Sequence, residues 1–230
     1  KNRKDAVGLI LSGNVFLETK KIDKPGFILP IDSNLQIKKK KDDTWVSRGG
    51  YKLDKAIKYF SLNCKNTTAL DIGSGSGGFT DVLLKHGAKK IYCVDVGYGQ
   101  LDWKIRNNKK VLVSEKTNAR YIDNNIIKDN LDLIVCDTSF ISLKKVLPAS
   151  LQFLKKSGFL IALIKPQFEI GKNLVGKGGI IKNPEHHELV VNSIKDWLIE
   201  EINFDVLGVT ESPILGIKGN KEFLICAFKK

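Results

Sequence analysis

The stretch ALDIGSGSGGFTD (69–81) sets glycines at positions 73, 75 and 78 directly behind a short apolar run. Glycines there let a chain turn sharply and bring its backbone against a ligand that faces the N-terminus of the following helix. Asp95 comes 20 residues after Gly75, the separation at which a carboxylate accepts hydrogen bonds from ribose hydroxyls. A nicotinamide dinucleotide and a sulfonium methyl donor are served equally by these features. Asp71 separates them, because a carboxylate two residues before the first glycine repels a pyrophosphate and suits a ligand with a cationic centre and an amino group. The residues favour a methyl donor and leave an NAD-dependent enzyme as the alternative.

Further apolar runs end at Asp95 (KIYCVDV), Val113 (KKVLVS), Asp137 (LDLIVCD), Lys165 (GFLIALIK) and Val209 (FDVLGV), and EFLICAF is the last. The stretches GGFTDVLLKHG, LDWKIRNN, ISLKKVLPASLQFLKK and EHHELVVNSIKDWLIEE between them have helical character. Strands alternating with helices of this length predict βαβ units and a mostly parallel sheet covered on both faces. The last two strands are joined by the brief PILGIKGN, which leaves no room for a crossover helix, so they are expected to pair antiparallel. A parallel sheet ending in one antiparallel strand is the Rossmann-like architecture of S-adenosylmethionine-dependent methyltransferases. Asp137 and Lys165 then stand at the carboxyl ends of their strands, on the rim where open α/β sheets bind ligands. Ahead of the sheet, DAVGLILSG reads as a helix stopped by Gly13, and NVFLETKKI and FILPIDSNLQIKK read as strands joined by the turn Asp23 to Gly26.

The 230 residues carry a net charge of +13, and residues 1–60 hold 14 Lys/Arg against 7 Asp/Glu. That excess points to a polyanionic partner, nucleic acid before membrane. The four cysteines, at 64, 93, 136 and 226, are widely spaced without a C-x-x-C, and read as reduced core residues. Cys136 beside Asp137 lacks the Pro-Cys context of cytosine-C5 methylation and reads as a strand residue. His186 and His187, in a helix opening at Pro184, form no H-E-x-x-H and read as solvated. No apolar run reaches the roughly 18 residues of a membrane span, and Lys1 opens no signal peptide. The expected location is the cytoplasm. The absence of methionine predicts a trimmed chain.

Several motifs together carry a family resemblance: VSRGGYKLDKAI (46–57), DIGSGSGGFTD, VDVGYGQLDWKIR (94–106), EKTNARYI (115–122), DLIVCDTSFISL (132–143), IKPQFEIGKNLVGKGG (164–179) and GNKEFLICA (219–227). The chain resembles the TlyA family of ribosomal RNA 2′-O-methyltransferases, historically labelled hemolysins, whose catalytic domain is similar to the FtsJ/RrmJ type. The resemblance implies S-adenosyl-L-methionine as cofactor, ribosomal RNA or ribosomal subunits as partner, and cytidine as target. It also implies three segments: a partial S4-like RNA-binding domain over 1–42, a basic linker and helix over 43–60, and an FtsJ-like methyltransferase domain over 61–230. The first helix of the S4-like domain is expected to precede Lys1.

In such enzymes a Lys-Asp-Lys-Glu tetrad bears the chemistry, and its matches here are Lys52, Asp137, Lys165 and Glu222. By resemblance Lys165 is the base that takes the 2′-hydroxyl proton. An ordinary lysine, with a pKa of about 10.4, holds its proton too firmly for this. Burial and the neighbouring ammonium of Lys52 would have to loosen it, against the pull of Asp137 and Glu222. Donor contacts are expected at Asp71, Gly73, Ser74, Gly75, Gly78 and Phe79, at Asp95 and Val96, and at Asn118 and Asp137. RNA contacts are expected at Lys20, Lys21, Lys38, Lys39, Lys40 and Arg48, with Phe168, like Tyr98, placed to stack on a base or on adenine. Two other classes stay open: a membrane-active hemolysin, and an RNA-binding protein that keeps the fold without catalysis.

Overall fold

Helix α1 (Arg3–Leu11) and strands β1 (Val15–Leu17), β2 (Lys20–Ile22) and β3 (Leu35–Ile37) belong to the first of two units, Lys1–Thr44. The computed structural model describes residues 3–11, 13, 15–18, 20–37, 44–171 and 174–230. Gly13 follows α1 at φ +69°, a conformation open to glycine that ends a helix. The strand-like run over 14–22 forms a hairpin. Glu18 adopts φ +52° and turns the chain, so that Val15 lies opposite Ile22. Of the second run only Leu35–Ile37 is strand, paired antiparallel to β1 in the order β2-β1-β3. Lys38, Lys39 and Lys40 lie outside the described residues.

The second unit, Trp45–Lys230, opens with α2 (Gly49–Tyr59) and then runs β4 (Thr68–Ile72), α3 (Gly78–Lys85), β5 (Lys90–Val94), α4 (Trp103–Arg106), β6 (Val111–Ser114) and β7 (Leu131–Cys136). It continues with α5 (Leu143–Val146), α6 (Pro148–Leu151), β8 (Leu154–Ile164), α7 (Pro166–Glu169), α8 (Pro184–Asp196), β9 (Phe204–Glu211) and β10 (Phe223–Lys229). The strands form one seven-stranded sheet in the order β6-β5-β4-β7-β8-β10-β9, parallel except for β10. This is the expected class. The order reverses between β4 and β7, which opens a crevice beyond their carboxyl ends.

Every residue of β4 and the last five of β8 are buried, because helices cover both faces. Alternate residues feed two cores. Leu70, Ile134 and Leu160 pack with α5, α6 and α8, while Ala69, Val135 and Ile161 pack with α2, α3 and α4. The expected helix over 141–156 is corrected. Pro148 starts a second short turn, α6, and Leu154, Lys155 and Lys156 already belong to β8. Proline fixes φ and has no N–H to continue α5, and the two exposed lysines sit where β8 extends past the covered part of the sheet.

Candidate active site

Asp137 follows β7 and Lys165 follows β8, two neighbouring parallel strands, so the sheet ladder sets their separation. Glu222 precedes β10, whose first residue Phe223 pairs with Ile164. The antiparallel strand therefore begins at the rim where the parallel ones end. Lys52 arrives from α2, on the face that also buries Leu53, Ala56 and Ile57. That helix can come close because glycines line its contact with α3. A Cβ on Gly78 would overlap Ser47 Oγ and lie 2.9 Å from Gly50 N.

The four charges converge. Lys165 Nζ lies 2.6 Å from Asp137 Oδ1, and Lys52 Nζ lies 3.4 Å from Asp137 Oδ2 and 2.7 Å from Glu222 Oε2. The Lys52–Glu222 contact is an ion pair whose angle falls short of a hydrogen bond. Lys52 and Lys165 are each 8 % exposed and Glu222 is 2 % exposed. Burial on this scale is costly for a lone charge and tolerable for a paired one. Lys165 Nζ also donates to Ser139 Oγ at 2.8 Å, a partner that no sequence pattern had marked.

Two hollows meet at Asp137. The larger, about 970 Å³, is bounded by Gly73, Gly75, Asp95, Val96, Asn118 and Phe168 among others. The second, about 580 Å³, is walled by Arg48, Lys52, Ser74, Gly78, Phe79, Lys165 and Glu222. Gly73, Gly75, Asp137 and Ser139 line both. The glycine turn thus stands between a ligand-sized chamber and the charged cluster. Ser74, Gly78 and Phe79, expected in the donor chamber, face the second hollow.

Gly73 adopts φ +77°, and a Cβ there would stand 2.6 Å from the carbonyl oxygen of Asp137. The turn can pass this close to β7 only without a side chain. Asp95 receives the backbone N–H groups of Gly75 on Oδ2 at 2.8 Å and of Gly97 on Oδ1 at 2.7 Å. Its carboxylate is held facing the larger hollow, with lone pairs left to accept further hydrogen bonds. Asn118 caps a short turn by accepting from Arg120 N. Glu169 accepts from Ser142 Oγ at 2.6 Å and Leu143 N at 2.8 Å, which ties α7, and with it Phe168, to the loop after β7. Burial raises the Glu169 carboxyl above the usual range. The Phe140 and Phe168 rings lie 4.9 Å apart at this wall.

Asp71 is corrected. It is fully buried, lines neither hollow, and accepts from Thr80 Oγ1 at 2.6 Å. On a strand covered on both faces it alternates with Ile72 and turns toward Thr80 on α3, so from this strand Ile72, and after it Gly73, line the larger hollow while Asp71 does not. Burial pushes its carboxyl up to about 7; Thr80 restrains the rise, and the charges of Asp137 and Asp95 add to it. Cys136 is a strand residue as expected, its thiol pushed up to about 12 by burial. Among the described residues no group of His, Cys, Asp and Glu could hold a metal ion. His187 is buried against Ile181 O at 3.1 Å, whereas it was expected to be solvated.

The model of the FtsJ-like methyltransferase family matches residues 45–229. The 16S/23S rRNA (cytidine-2′-O)-methyltransferase TlyA of Mycobacterium tuberculosis is 37 % identical over 225 residues, 98 % of this chain and 84 % of that protein. Hemolysin A of Brachyspira hyodysenteriae is 40 % identical over 224 residues, 97 % and 92 % of the two chains. A solved structure described as a hemolysin from Streptococcus thermophilus superposes with a TM-score of 0.80 at 38 % identity, covering all of this chain and 83 % of that one. The glycine turn, the held Asp95 and the shared length agree: the chain belongs to the FtsJ-like methyltransferases, within the TlyA family.

Proposed function

We propose that the protein methylates the ribose 2′-oxygen of a cytidine in ribosomal RNA, acting in the cytoplasm on ribosomal subunits. The observation that carries this reading is the pairing of two buried lysines on the one carboxylate where the two hollows join. S-adenosylmethionine supplies, when bound, a methyl group on a positively charged sulfur that departs as a neutral thioether. The chain fits that cofactor: Asp95 offers a fixed acceptor to a ribose, and the bare backbone of Gly73 and Gly75 lets it come close.

The rest falls to side chains. Lys165 Nζ takes the 2′-hydroxyl proton as the oxygen gains its methyl group, and then returns the proton to solvent. Asp137 accepts from Lys52 and pairs with Lys165, which keeps both amines beside it. Glu222 neutralises Lys52, which keeps a second ammonium near Asp137 without leaving it uncompensated. Most of the rate gain comes from placement, since oxygen, methyl carbon and leaving sulfur must be held in line.

Positive charge brings the RNA. Arg48 lines the second hollow and Lys145 the first, and the chain carries +13 overall. We read residues 1–42 as a partial S4-like module, with Lys20 and Lys21 exposed on β2 as phosphate contacts. No helix among the described residues is long and apolar enough to cross a membrane. An rRNA fragment with deoxycytidine at the target tests the reading: it should accept no methyl group while the ribose form does. Equal labelling of the two would overturn it.

A further inference from the structure

We infer that the Ser139 hydroxyl is a positioning residue that aims the Lys165 amine at the substrate oxygen; this rests on the methyl-transfer reading above. Ser139 lies two residues beyond Asp137, in the loop after β7, and borders both hollows. Lys165 Nζ donates to its Oγ at 2.8 Å and forms an ion pair with Asp137 Oδ1 at 2.6 Å. Among the described residues Ser139 is the hydrogen-bond acceptor of this amine and Asp137 its ion-pair partner.

An ammonium carries three N–H bonds in tetrahedral directions. With one N–H on Ser139 and the charge drawn toward Asp137, a direction away from both is left for the incoming hydroxyl. After the proton leaves, the neutral amine has two N–H bonds and one lone pair. Ser139 still accepts an N–H and the Asp137 carboxylate repels a lone pair, so the lone pair turns to the remaining direction and meets the 2′-hydroxyl. Asp137 alone cannot do this, because with one partner the lone pair can take either of the two remaining staggered directions. The charged groups facing this amine are Asp137 directly and, behind it, Lys52 and Glu222. None of them accepts a hydrogen bond from it. A hydroxyl suits the post better than a second carboxylate, since it accepts without adding charge that would hold the proton on nitrogen.

The test compares the full chain with Ser139→Ala and Ser139→Thr, reading kcat, KM for ribosomal RNA, donor affinity by calorimetry and thermal unfolding. The alanine variant is expected to lose about 10- to 100-fold in kcat, with KM and donor affinity within about twofold, and threonine is expected to restore most of the rate. Should the alanine variant unfold, Ser139→Cys keeps the volume, weakens the hydrogen bond and is expected to give the same split. Rates within about threefold of the parent overturn the role of Ser139. A rate loss matched by lost donor affinity, or an inactive threonine variant, overturns it as well. A parent chain that leaves ribosomal RNA unmodified sinks the methyl-transfer reading, and this inference with it.

Discussion

Lys165 and Asp137 meet at 2.6 Å between Nζ and Oδ1, across the ends of adjacent strands β8 and β7. Asp137 N in turn donates to Ile72 O at 3.0 Å, so the carboxylate is pinned to the middle of the sheet. Its other oxygen looks toward Lys52, at 3.4 Å. The shorter contact marks Lys165 as the lysine that the sheet itself positions. Lys52 depends on how α2 packs.

Removing the amine is expected to remove the reaction and spare the chamber. Lys165→Ala should lower turnover by about 10³-fold, within the range of a lost general base. Donor affinity by calorimetry should stay within about threefold, because Lys165 borders only the second hollow. A variant with near-normal single-turnover rates would remove Lys165 from the role of base.

Gly216 is expected to matter through Glu222. A Cβ at this position would overlap Glu222 Oε1, and a side-chain end yields more easily than a backbone. Gly216→Ala should therefore push Glu222 off Lys52 with little loss of fold. The expected result is a fall of about tenfold in kcat with an unfolding temperature within a few degrees of the parent. Unchanged turnover would mean that Lys52 works without its carboxylate.

Asp71 gives a pH dependence of stability. Its folded carboxyl sits at about 7, above the ~3.9 of an unfolded aspartate. Folding thus favours the protonated form, and the contribution is fully present below about pH 4, then lost as pH rises through about 7. Asp71→Asn, which cannot ionise, should be more stable than the parent at pH 8, by up to about 4 kcal/mol. The gap should narrow toward pH 4. Urea unfolding at pH 5 and pH 8 measures it, and a variant less stable than the parent at pH 8 would contradict the burial cost.

Strand ends were readable where an apolar run stops at a charged residue, as at Asp137 and Lys165, and in a parallel sheet those stops share one rim. That is why Asp137 and Lys165 could be set on one edge before any geometry was known. The face on which Asp71 lies was not readable. A strand buried on both sides gives no alternation, so a carboxylate two residues before a glycine looks the same whether it meets a ligand or a helix. Lys52 was marked by the family resemblance of its motif, and its place on the buried face of α2 with Ala56 came from the structure. Ser139 had none, because a serine after a strand is ordinary loop chemistry until Lys165 is seen beside it. Gly216 likewise reads as a turn residue, and only the nearness of Glu222 gives it another meaning. The false helix over 141–156 arose because Leu151, Phe153 and Leu154 keep an apolar rhythm through the start of β8.

Incubating ribosomal subunits with the chain and methyl-labelled S-adenosylmethionine, then digesting the RNA to nucleosides for mass spectrometry, asks where the methyl group goes. A single labelled cytidine with the added mass on its ribose is the expected result. Label on a base, or none on RNA while the donor still binds, would contradict 2′-oxygen transfer by the Lys165–Asp137 pair.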